Sequence, residues 1–161
     1  MTEEQPKQQQ TGPMQIAVSM QYIKDFSFES PNVPQIFAQT KLAPEMNMGV
    51  NVHTRPMMGA HNTHEVVLVL KLEAKVEGKT AFIAELSYGG IFTLPALPEE
   101  QAKLFLLIEC PRLLFPFARA ILGEAVRDGG FPQILINPID FAGLYQANKG
   151  SVGPMVAAGS A

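Results

Sequence analysis

From Met14 to Glu29 apolar side chains recur at every second position: Met14, Ile16, Val18, Met20, Tyr22, Phe26 and Phe28 sit at even numbers, with mostly polar residues between them. A period of two marks a strand with one face buried, because successive side chains project to opposite faces of a sheet. Unbroken, such a strand spans on the order of 50 Å, against a usual length of about five or six residues. A bend is therefore expected near Ile23 and Lys24, and part of the strand must find a partner outside its own small sheet.

Two more segments repeat the pattern. From about His64 to Val76, Val66, Leu68, Leu70, Leu72, Ala74 and Val76 share one face, while Glu65, Lys71, Glu73 and Lys75 share the other. Glu77, Gly78 and Lys79 then form a tight hairpin. Thr80 to Tyr88 places Phe82, Ala84, Leu86 and Tyr88 inward and leaves Ile83, Glu85 and Ser87 outward, and Gly89 and Gly90 mark a bulge or a close backbone approach. Between the first strand and this hairpin, Pro31 and Pro34 open a stretch that reads as irregular to about Asn62. It is apolar nonetheless, with Ile36, Phe37, Leu42, Met46, Met48, Val50, Val52, Met57 and Met58 interrupted by Pro44, Pro56 and Gly59. Long structureless loops in compact domains are usually functional or disordered, and the apolar content argues against disorder.

Glu99 and Glu100 fit a first helical turn, where acidic side chains offset the helix dipole. This helix is expected to end near Glu109, since Cys110 precedes Pro111 and is steered away from helical geometry. A second helix runs from about Arg112 to Arg127: Arg112, Arg119 and Arg127 share one narrow stripe, and Leu113, Leu114, Phe117, Ile121, Leu122, Ala125 and Val126 fill most of the rest. One sheet covers one side of so broadly apolar a helix, so the other side calls for a second subunit. A short helix from about Pro138 to Gln146 carries Phe141, Leu144 and Tyr145 on one side.

Residues 1–13 and 148–161 lack periodicity and favour small or polar types, which predicts flexible tails around one domain at 14–147. The net charge of −3 provides no basic footprint for nucleic acid. The polar, Gln-rich N-terminus is no signal peptide, no apolar run approaches the ~20 residues of a membrane span, and the lone Cys110 suits a reducing compartment. A cytoplasmic protein without membrane insertion is expected.

Catalytic candidates are weak. His53, His61 and His64 lack a cysteine partner and tight helical ligand spacing, and Cys110 reads as a small packed thiol before a proline rather than a nucleophile. Phosphate-loop, dinucleotide and nucleophile-elbow motifs are missing from the sequence. More informative are Asp25 and Glu29, on the outward phase of the first strand, and Glu85, outward beside Ile83 on the third. They read either as an ordinary solvated face or as an acidic docking patch with one apolar contact for a basic partner. The methionines of the proline-broken stretch fill core by default, but flexible thioethers also suit a surface that accepts many sequences.

Five blocks in order carry a family resemblance: Tyr22-Ile23-Lys24-Asp25-Phe26-Ser27-Phe28-Glu29-Ser30-Pro31; Gly89-Gly90-Ile91-Phe92; Cys110-Pro111-Arg112-Leu113-Leu114-Phe115-Pro116-Phe117-Ala118-Arg119; Phe131-Pro132; and Asn137-Pro138-Ile139-Asp140-Phe141. The chain resembles the bacterial SecB protein-export chaperones over residues 14–147. The resemblance implies an α+β fold, a four-stranded antiparallel sheet with a long helix and a short C-terminal helix, assembled as a dimer of dimers. It implies an ATP-independent chaperone that holds unfolded preproteins and delivers them to the SecA motor of the Sec translocase, with no cofactor, no metal and no enzymatic chemistry. By position, the SecA-binding residues are Asp25, Glu29, Ile83 and Glu85. The client groove falls on Ile36, Phe37, Leu42, Met46, Phe141, Leu144 and Tyr145. The chain departs from the family at Leu42, where other members carry an aromatic residue, in its lack of Trp, and in a longer loop from Met48 to His64. The alternatives are a SecB-like chaperone dedicated to one partner such as an antitoxin and, from a different class, a small hydrolase.

Overall fold

The structure is a computed structural model that describes residues 15–39, 44–149 and 155–160. Four long strands form an antiparallel sheet: β1 (Ala17–Glu29), β2 (Glu45–Pro56), β3 (Thr63–Val76) and β4 (Lys79–Thr93). A fifth short strand, β5 (Met155–Ser160), joins the free edge of β2, giving the order β1-β4-β3-β2-β5. Because β1 pairs with β4 rather than with β2, the chain crosses from one sheet edge towards the other between Glu29 and Glu45. A single 3-10 turn, Gln35–Ala38, lies on that crossover.

Alternation positions the sheet as the sequence predicts. Val66, Leu68, Leu70, Leu72, Ala74 and Val76 on β3, with Phe82, Ala84, Leu86 and Tyr88 on β4, are buried on one face. The β3–β4 hairpin turns on Glu77 and Gly78 with φ of 50° and 79°, the left-handed pair that a two-residue type I′ loop requires. On β1 the register against β4 slips between Val18 and Met20 and again between Ile23 and Asp25. Each slip inserts one residue and bends the strand, so its length follows the twist of the sheet. The second falls at Lys24, where the bend was expected.

Two segments differ from expectation. The stretch read as irregular to Asn62 contains β2, twelve residues paired with β3 along their whole length. Its own alternation, Met46, Met48, Val50 and Val52, directs these side chains inward, and Pro44 and Pro56 mark the strand's limits rather than interrupting a loop. Similarly, residues 155–160 of the predicted C-terminal tail form β5.

The helical layer lies on the buried face of the sheet. Helix α1 (Glu99–Leu104) continues through a π-helical segment, Phe105–Glu109, directly into α2 (Cys110–Asp128), so residues 99–128 run as one helical stretch of ~45 Å. The break expected at Cys110 is absent because the helix widens just before Pro111: the Cys110 N–H donates to the carbonyl of Phe105, five residues back. The wider turn makes room for a ring that would otherwise meet the carbonyl of Leu107, four residues earlier. Leu114, Ala118, Leu122 and Val126 are fully buried against the sheet, and α2 packs on β3 and β4. Gly90 makes that contact possible, since a Cβ there would lie 2.7 Å from the Phe92 ring and 3.0 Å from Leu114. Helix α3 (Phe141–Asn148) is capped by Asp140, whose carboxylate accepts the Gly143 N–H at 3.0 Å.

Candidate functional site

Residues directly opposite in the ladder share a sheet face, so the register assembles the outer surface. Glu29 on β1 lies across from Ile83 on β4, and Ile83 lies across from Glu73 on β3. In the next row Glu85 sits between Ser27 and Lys71, and in the next Ser87 sits between Asp25 and Val69. The four residues Asp25, Glu29, Ile83 and Glu85 thus occupy adjacent rows on one face. Ile83 and Glu85 are half-buried and the two β1 carboxylates are exposed. Glu73 adds a third carboxylate around Ile83; its outward phase was readable, but only the register places it there. Asp25 and Glu85 also border a shallow basin of about 570 Å³ with Lys24, Arg55 and Glu65.

Glu65 stabilises that basin. It takes the outward phase of β3, yet it is only 4% exposed. The Tyr22 hydroxyl donates to its carboxylate at 2.5 Å, Lys24 Nζ donates at 2.9 and 3.0 Å, and Arg55 Nε donates from directly across on β2. Tyr22 reaches it by lying over Gly89, where a Cβ would come within 2.8 Å of the ring. Burial opposes ionisation of Glu65, but the hydrogen bonds from Tyr22, Lys24 and Arg55 outweigh it and hold the carboxyl down at about 2. The Tyr22 hydroxyl is pushed up to about 12, first by burial and then by its bond to Glu65. Charge-assisted bonds therefore tie β1, β2 and β3 together beside the acidic rows.

The sign of the linkage follows from the depressed pKa. Above about 4.5, the ordinary value, Glu65 contributes its full stabilisation, and this is lost as pH falls towards about 2. Urea denaturation of wild type and Glu65→Gln should show a stability gap of roughly 1–3 kcal/mol at neutral pH that closes across that interval. A gap independent of pH would contradict the network.

On the opposite, helix-covered face, Met46, Met48, Val50 and Leu72 form one wall of an apolar cleft of about 690 Å³, and Leu135, Ile139 and Leu144 line it from the segment leading into α3 and from α3 itself. Of the residues assigned to the groove from the sequence, Met46 and Leu144 line this cleft and are half-buried. Phe141 and Tyr145 are buried beneath it in the core, and Ile36 is buried in the core from the crossover. Phe37, 37% exposed, packs against Phe131 with tilted rings 5.1 Å apart, and Phe131 meets Phe82 at 5.0 Å. Phe82 and Phe131 line a smaller pocket that shares Pro44 and Ile134 with the main cleft. Leu42 lies outside the described residues. The alternation of Met46, Met48 and Val50 and the Ile134-Leu135-Ile136 run were the signals available for the lining that the sequence assignment left out.

Cys110 is completely buried and its thiol is pushed up to about 12, by burial and then by the Glu109 charge. Held in the protonated form, Cys110 is not the nucleophile of a hydrolase. Among the described residues no group of three or more His, Cys, Asp or Glu side chains is placed to hold a metal ion, and no helix is long and apolar enough to cross a membrane.

An open apolar cleft on one sheet face and an acidic, partly apolar patch on the other define a protein that works by binding. The chain belongs to the SecB family, whose model, Preprotein translocase subunit SecB, matches residues 7–151. It is 49% identical over 146 residues to the protein-export protein SecB of Granulibacter bethesdensis, covering 87% of this chain and 85% of that protein. It is 54% identical over 134 residues to the protein-export protein SecB of Paramagnetospirillum magneticum, covering 83% and 84%. Among solved structures, the Mycobacterium tuberculosis Rv1957 SecB-like chaperone, in complex with a ChAD peptide from the Rv1956 HigA1 antitoxin, superposes with a TM-score of 0.64 at 10% identity, covering 77% of this chain and 90% of that one. At that identity the likeness is one of fold.

Proposed function

We infer that this chain is a protein-export chaperone that works in the cytoplasm without ATP, holding unfolded preproteins and delivering them towards the Sec translocase. Membership of the SecB family supports this role and a non-enzymatic mode of action. The observation that carries the mechanism is the open cleft of about 690 Å³ walled by Met46, Met48 and Leu144. An apolar segment of an unfolded client buries itself there, and thioether side chains adapt to segments of different shape. On the other face Glu29, Glu73 and Glu85 surround Ile83 with Asp25 two rows along, and we assign the patch of Asp25, Glu29, Ile83 and Glu85 to SecA through a basic, partly apolar element.

Surface left bare among the described residues supports assembly as a dimer of dimers. Strand β1 is the outermost strand on its side of the sheet, and Ile23 and Phe26, 52% and 38% exposed, face the same side as the helices. Beside them Leu113 and Phe117 of α2 are 47% and 51% exposed, and Phe117 stacks on Tyr88 at 6.4 Å. A second copy covers both an unpaired strand edge and this apolar surface, and a dimer of dimers covers the remaining helical face.

Solution mass, measured with and without a urea-denatured client, tests the reading. The expected result is a homotetramer that takes up client polypeptide when the urea is diluted. A monomer that takes up none would overturn it.

A further inference from the structure

The edge of β2 that borders the cleft is occupied by the chain itself. Strand β5 pairs antiparallel along it, from Asn47 opposite Ser160 to Val52 opposite Met155. The cover is partial: β2 is twelve residues long and β5 is six. Strand β5 also contacts α3, which supplies Leu144 to the other wall of the cleft. The C-terminal strand is thus placed against both elements that form the client surface.

Its sequence makes it a weak occupant. Met-Val-Ala-Ala-Gly-Ser contains four residues of the types depleted in or neutral to strands, Ala, Ala, Gly and Ser, and one β-branched residue, Val156. An uncovered strand edge presents a row of N–H and C=O groups that pairs readily with any extended backbone. A short strand of low propensity satisfies that row, yet yields to a segment richer in β-branched or aromatic residues. Main-chain pairing at an edge is also indifferent to sequence, which suits a surface that must accept many polypeptides.

We propose that β5 is a built-in competitor: it occupies the outer edge of β2 in the empty chaperone, and an extended client segment docks by displacing it. This rests on the reading of the adjoining cleft as the client site. A binding site open for only a tenth of the time loses about tenfold in apparent affinity, so the device raises the threshold for weak, folded or short ligands.

Two full-length variants test it. Asn51 and Val156 are direct partners, so an Asn51→Cys/Val156→Cys pair locks β5 in place when oxidised, while the buried Cys110 stays out of the exchange. An Ala157→Pro/Ala158→Pro variant removes two backbone donors and releases the strand. The probe is a synthetic unstructured peptide of alternating Val, Phe and polar residues, with a second version N-methylated at alternate amides. We expect the released form to bind the plain peptide about three- to tenfold more tightly than wild type, and the oxidised lock to bind it several-fold more weakly, with recovery on reduction. The methylated peptide should lose most of the gain. If wild type binds the peptide and neither lock nor release changes its affinity, the competitor role is overturned while the cleft reading stands. If no form binds any unfolded peptide, the cleft reading falls and this inference with it. A disulfide found between chains rather than within one would assign β5 to a neighbouring copy and overturn the self-occupied edge.

Discussion

Glu85→Lys should weaken SecA binding by at least about tenfold while leaving client affinity within about twofold. The residue sits half-buried between Ser27 and Lys71 in the ladder. Reversal removes one carboxylate from the patch and places a second cation beside Lys71, so an arriving basic partner meets repulsion where it met attraction. Loss of about 1.4 kcal/mol is a tenfold change, within the range that close charge pairs at interfaces contribute. Raising salt should narrow the difference, because exposed charges are screened beyond about 8–10 Å at ordinary ionic strength. Client binding should be unaffected, because the cleft proposed to hold clients, with Met46 and Leu144, lies on the other face of the sheet. Titration of SecA against both forms at low and high salt decides the matter, and equal affinity would remove the SecA assignment from this patch.

Leu144→Asp should have the larger effect on clients. Leu144 is half-buried on the cleft, whereas Phe141 and Tyr145 of the same helix hold it to the core. An aspartate there confronts every apolar client segment with a charge that must be desolvated without a partner. Client affinity should drop on the order of tenfold to a hundredfold, with SecA binding unchanged. Leu144→Met, which conserves volume and polarity, should retain most of the binding. A helix undocked by the aspartate would show as lost thermal stability, so the two variants together separate a damaged fold from a blocked cleft. Unchanged client affinity in a stable Leu144→Asp protein would move the client site elsewhere.

How much of this was legible in the residues depends on whether a signal was local. The β3–β4 hairpin and the broad apolar surface of α2 each announce themselves by periodicity within one segment, and the structure reproduces them. Strand β1 is present too, but its two bulges turn Met20 and Tyr22 to the outer face, and Val18 and Phe26 stay exposed on the protomer. The acidic rows were legible for the same reason: Asp25, Glu29, Ile83 and Glu85 each fall in an outward phase, although only register makes them neighbours. Strand β2 was obscured by the company it keeps. Its alternation is as regular as that of β1, but Pro44, Gly49 and Pro56 punctuate it, and the pairing with β3 overrides their local preference. The continuous helix across Pro111 was hidden because a proline's steric effect is usually read four residues back, and the π-helical turn relieves that clash out of sight of any propensity. Glu65 misled in the other direction. Its outward phase predicts a solvated carboxylate, and only the crossing of Tyr22, Lys24 and Arg55 from two other strands reveals a buried ionic centre.

A chaperone of this kind arrests unfolded polypeptides by binding alone. Dilution of a urea-denatured, slowly folding client into buffer with excess chaperone and no nucleotide measures that directly, through the rate at which the client regains its native fluorescence. Refolding should slow in proportion to the chaperone added and resume when SecA or a competing unfolded peptide is supplied. Refolding at the same rate with and without excess protein would contradict it.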